Sequence, residues 1–158
     1  MELLFQVLVV IAVLANAVIF GVDVFAAVVQ RPALTCVDDA TLTAMMGHGH
    51  RIADKRFPFF GISGVVSAVL ACGVALAQGR GAAADATGLA VVVLVAWLVI
   101  FARISAPVNK RLTAAAMAGE VPADARALQD RWESVINVRV ALQTIALAAL
   151  CVALVTAR

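Results

Sequence analysis

Four long stretches of the chain carry no charged residue: 3–22, 57–79, 86–102 and 140–157. Each approaches the roughly 20 apolar residues needed to cross a ~30 Å hydrocarbon core. The pattern predicts an all-α fold: a four-helix transmembrane bundle in one membrane domain covering 1–158, with spans near 3–28, 57–78, 86–103 and 138–157. Between the first two runs, Leu42, Met45, Gly49, Ile52 and Arg56 recur at helical spacing. A short cytoplasmic or interfacial helix is therefore expected over 38–56, capped by Asp38 or Asp39. Before the last run, Ala125, Leu128, Trp132, Val135, Ile136 and Arg139 share one face. Pro122 suits the first turn of a helix. A helix from 122 to 156 would be about 50 Å long, beyond what the hydrocarbon requires, so the fourth helix should protrude or bend at the interface.

The composition agrees. The chain is 64% hydrophobic and 14% charged, against about 25% charged in a typical soluble domain. Charge also sets an expected orientation. Arg31, Arg51, Lys55, Arg56, Arg103, Lys110, Arg111, Arg126, Arg131 and Arg139 fall on one side of the implied membrane, and Arg80 and Arg158 on the other. Cytoplasmic loops collect Lys and Arg. The reading is a multi-pass protein of the cell membrane with both termini non-cytoplasmic. Met1-Glu2 lacks the basic start of a signal peptide, so the first run is expected to stay as a span. No basic cluster interleaves with aromatics, which argues against nucleic acid as a partner. Cys36, Cys72 and Cys151 are an odd set placed in or beside spans, and read as small apolar filler rather than a disulfide framework. Small residues in spans two and four permit close helix packing and are compatible with a homo-oligomer.

Two constellations could carry chemistry. Met45-Met46-Gly47-His48-Gly49-His50 places two histidines near soft ligands and suggests copper or iron, with Asp54 as a third ligand. On a helix, however, residues two apart diverge by about 160°, so His48 and His50 share an ion only if the glycines make a non-helical turn. The second constellation lies at the inner mouth of the bundle. Asp23 ends span one, Ser105 and Asn109 end span three, and Trp132, Asn137 and Arg139 begin span four. Asn16 lies seven residues before Asp23 and shares its face. An arginine entering an apolar span needs a carboxylate, and Asp23 is nearest by depth.

Three motifs in this set resemble the anthrone oxygenase-like family of small four-span membrane proteins. They are Arg31-Pro32-Ala33-Leu34 after span one, Pro107-Val108-Asn109-Lys110-Arg111-Leu112 after span three, and Trp132 followed by Arg139 into span four. The sequence departs from the family pattern at Ser105, where an asparagine is expected, at His50-Arg51, where an asparagine-arginine pair is expected, and at Asn137, which lies one residue closer to Arg139 than the pattern has it. The resemblance implies a monooxygenase of polyketide pathways that turns an anthrone-like or quinone-like aromatic into its quinone. Dioxygen would be co-substrate, and no metal or organic cofactor would be needed. For that chemistry the expected catalytic groups are His50, Asp23 and Arg139, with His48 a further candidate base, and the expected substrate contacts are Asn16, Asn109, Trp132 and Asn137. The partners would be the lipid bilayer and a hydrophobic small molecule. A non-catalytic membrane subunit or lipid-interacting protein, and a metal-dependent redox protein using His48 and His50, are the alternatives.

Overall fold

Among the described residues the uncharged runs are helical except at Gln78–Gly79 and Thr156, and each helix continues past its run at one end or both. A computed structural model describes residues 2–156. It contains four long helices: α1 (Glu2–Leu34), α2 (Asp39–Ala77), α3 (Gly81–Ala118) and α4 (Ala125–Val155), with no strand among the described residues. All four are long and apolar enough to cross a membrane. Only 22–33% of each most apolar window is buried within the protein. The outward positions carry Leu14, Phe59, Ile62, Leu76 and Val92, each more than 60% exposed. Water would not tolerate so much contiguous apolar surface, whereas lipid does. The fold is an all-α four-helix bundle of membrane type.

Two compact units are present. The first takes in Met1–Gly21, Pro58–Trp97 and Ala141–Arg158. Its core is unusually rich in alanine: Ala12, Ala68, Ala71, Ala75, Ala83, Ala90, Ala146 and Ala153 are fully buried, with Phe5, Leu94 and Leu150 filling between them. In lipid, helices gain little from hiding apolar surface from one another, so close backbone approach through small residues supplies the packing. Gly64 is part of this. A Cβ there would lie 2.7–2.9 Å from the Asn16 side chain.

The second unit takes in Val22–Phe57 and Leu98–Val140. Leu34, Leu42, Met46, Val108, Leu112, Leu128, Trp132 and Ile136 form its core. Gly47 lets α2 approach α3 closely, since a Cβ would stand 2.4 Å from both the Leu112 carbonyl oxygen and Ala116 Cβ. Thr113 Oγ1 donates to the Gly47 carbonyl at the same contact, 3.1 Å away.

The expected interfacial helix is not a separate element. Residues 39–56 continue into span two as a single 39-residue helix that runs through Pro58. A proline deletes one intrahelical hydrogen bond, and a helix this long absorbs that loss. Asp38 caps it, its Oδ1 accepting from the Thr41 amide at 2.7 Å. The fourth helix is long, as expected, but begins at Ala125 rather than Pro122, and its pattern is interrupted at Ser134–Val135. Asp124 holds the N-cap place, while its carboxylate is taken by Arg111 at 2.9 and 3.1 Å. The ends of α2 and α3 are closed by Gly79 and Gly119 at φ 67° and 69°, the left-handed geometry that glycine adopts without strain.

Candidate functional site

Two prolines shape the interior of the second unit. Pro32 and Pro107 have no amide hydrogen, so the usual bond to the carbonyl four residues back is missing at each. Just before each proline the helix widens into one π-turn, Ala26–Gln30 in α1 and Phe101–Ser105 in α3. Arg31 N–H bonds the Ala26 carbonyl and Ala106 N–H bonds that of Phe101, both five residues back. A π-turn inserts a residue and re-aims the side chains around it, which is why such turns concentrate at functional sites. In α3 it presents Phe101 and Ser105 to one group, Arg139.

Arg139 is the centre of the site and is 4% exposed. Its Nη2 donates to Asp23 Oδ1 at 2.5 Å and its Nε to Asp23 Oδ2 at 3.2 Å. Its Nη1 donates to Ser105 Oγ at 2.9 Å. The guanidinium carbon stands 5.1 Å from the Trp132 ring centroid and 5.8 Å from that of Phe101. Both rings are within cation–π range. The pairing expected from helix depth is therefore made, and it includes Ser105, which stands where an asparagine was expected.

His50 lies beside this centre. It precedes the uncharged run of α2 by seven residues, the run read from its length and composition as the membrane-spanning part of that helix. Its ring is 5.8 Å from Trp132, tilted by 43°. The residue is 7% exposed, and Nε2 is buried with no hydrogen-bond partner. Burial, and secondly the positive charge of Arg139, push its pKa down to about 4. The ring is neutral at pH 7 and, with its proton on Nδ1, offers a lone pair at Nε2. Asn109 is also buried, its Nδ2 donating to Asp54 Oδ1 at 2.9 Å while its Oδ1 has no partner. Trp132 Nε1 is likewise buried and unpartnered.

Not every expected residue takes part. Asn137 is exposed, because two residues along a helix turn about 200° away from Arg139. Asn16 is buried in the first unit, where its Nδ2 donates to the Ala12 carbonyl at 2.8 Å. The shared-ion arrangement of His48, His50 and Asp54 is not formed. The glycines stay helical, leaving His48 exposed on one face and His50 buried on the other. No group of three or more His, Cys, Asp or Glu suited to a metal occurs among the described residues. Thr43 and Gln129 escaped the sequence reading; both are at most 3% exposed and carry an unpartnered oxygen. Their signal was available, since Thr43 shares a helix face with Leu42, Met46 and His50, and Gln129 adjoins Ala125, Leu128 and Trp132 on another.

Compared with protein-family models, characterised proteins and solved structures, the chain matches none.

Proposed function

We propose that this chain is an integral membrane oxygenase-like protein acting on a hydrophobic aromatic or quinone-like molecule whose ring system carries an acidic methylene group. The carrying observation is the unpartnered, buried Nε2 of His50 beside Trp132 and Arg139. His50 takes the proton, and the carbanion is held against the positive field of Arg139. An electron-rich aromatic anion reduces dioxygen directly and recombines with it. Loss of water then leaves a carbonyl. The methylene carbon keeps one oxygen atom of dioxygen, and the other leaves as water with the two methylene hydrogens. The Arg139 charge that disfavours a lone imidazolium is offset by the anion formed beside it, and a water-poor surrounding strengthens that attraction.

Asp23 and Ser105 hold Arg139 in place, and Trp132 supplies an apolar wall with one N–H donor. The substrate reaches the site from the bilayer. The charge asymmetry supports both termini lying outside the cytoplasm, with the basic stretches 31–56 and 103–139 on the cytoplasmic side.

A second reading draws on the same pair. Both oxygens of Asp23 are bound by Arg139, as in a structural lock, and a non-catalytic membrane subunit would need nothing more. Oxygen uptake separates the two. Purified protein in lipid is supplied with an anthrone between about pH 6 and 9, a range that brackets the ordinary histidine pKa. Substrate-dependent uptake that disappears in His50→Ala supports catalysis; no uptake at any pH in the wild type removes this substrate class.

A further inference from the structure

Five buried polar groups in the second unit lack a partner, and they lie in sequence-ordered rows. On α2 they are Thr43 Oγ1 and His50 Nε2, seven residues apart. On α4 they are Gln129 Oε1 and Trp132 Nε1, three apart, and on α3 Asn109 Oδ1. Each of these residues is at most 7% exposed. Two of the amides have fixed orientations. Asn109 Nδ2 is held by Asp54 and Gln129 Nε2 by Glu133 at 2.8 Å, so both leave a carbonyl oxygen as the bare atom.

The rows share a direction. The starts of α2 and α4 lie together, since Arg126 Nε donates to Asp39 Oδ1 at 2.7 Å. That pair is open to solvent, with 39% and 52% of its side chains exposed. From it, Thr43 is about 6 Å along α2 and His50 about 10 Å further; Gln129 is about 5 Å along α4 and Trp132 about 5 Å beyond. Leu42, Met46, Leu112, Ala125 and Leu128 are packed into the same core. Buried polar groups in native proteins are almost always satisfied, and where no protein group serves, water does.

We propose that a file of ordered water threads the second unit from the Asp39–Arg126 end to His50, and that it carries protons between His50 and the aqueous phase. Gln129 Oε1, Asn109 Oδ1 and Trp132 Nε1 anchor the file. None of them relays a proton, because each offers only an acceptor or only a donor. Thr43 Oγ1 both accepts and donates, so it is the protein's own link in the relay. A proton leaving Nε2 of the imidazolium passes to the nearest water. Each water hands one on, and the last is released to bulk, leaving His50 neutral with no net change in the file. The transport role rests on His50 acting as the base proposed above; the presence of the water does not.

The test uses exchange in the resting protein, without substrate. The chain has two tryptophans, so nitrogen-15 labelling gives two indole N–H signals. Trp97, in the first unit, serves as the reference. After transfer to deuterated water, Trp132 is expected to exchange at least about tenfold faster than Trp97, and Thr43→Val and Gln129→Leu are expected to slow it by a similar factor. Trp132 exchanging as slowly as Trp97 in the wild type overturns the proposal even if neither variant folds. So does fast exchange that both folded variants leave unchanged. Because oxygen uptake is measured separately, loss of the oxygenase reading leaves this result standing.

Discussion

Arg139 binds both carboxylate oxygens of Asp23 across 116 positions of sequence, in a site where the two side chains are 5% and 1% exposed. Removing one partner strands a buried charge. Asp23→Ala is expected to cost about 3–5 kcal/mol, while Asp23→Leu combined with Arg139→Met recovers most of that loss. Unfolding midpoints of the three proteins in the same detergent check this. A double variant no more stable than Asp23→Ala would mean that the pair is not energetically coupled.

The lowered pKa of His50 makes stability depend on pH. An unfolded histidine titrates near 6.5 and the folded one near 4. Between those values the unfolded chain binds a proton that the folded chain does not, so acidification favours unfolding. Stability is expected to be intact above about pH 6.5 and to fall by roughly 3 kcal/mol as the pH drops to about 4. His50→Phe should lack this component. Chemical unfolding near neutral pH and again close to the folded pKa of about 4 provides the comparison, and the same loss in both proteins would refute it.

Gly47 and Gly49 look alike in sequence but have opposite consequences. A Cβ at 47 meets the Leu112 carbonyl oxygen and Ala116 Cβ at 2.4 Å, whereas at 49 nothing lies within 4 Å. Gly47→Ala is expected to lose about 1–3 kcal/mol by forcing α2 from α3. Gly49→Ala is expected to gain up to about 1 kcal/mol from helix propensity. Thermal midpoints of the two variants should move in opposite directions.

Orientation is testable with a membrane-impermeant maleimide. Ala82→Cys, placed at the start of α3 just after the turn from α2, should label in intact cells. The native Cys36 is exposed on the protein and should label only after the membrane is opened. The reverse pattern would invert the topology.

Much of the fold was legible because its cause is one-dimensional. An uncharged run of about 20 residues has few places to go other than a membrane, and four such runs imply four helices. The Asp23–Arg139 pair was legible for a related reason. A charge at the end of an apolar span must be compensated, and depth along each helix follows from residue count. Helix boundaries were less accessible. The second helix runs through Pro58 although the proline removes one of its hydrogen bonds, and the fourth begins at Ala125, three residues after Pro122.

By itself, the sequence determined the number of helices, their membrane character and the end of the bundle that carries the polar groups. Tertiary structure decided which of those groups face one another. The π-turns before Pro32 and Pro107 re-aim the helix faces, so that Ser105 and Phe101 meet Arg139. Helical continuity through Gly47–His50 sends His48 outward and His50 inward. The physical reason is angular: each inserted or omitted residue rotates a helix face by about 100°. Residue count alone gives depth, while facing direction depends on where the backbone departs from regular geometry.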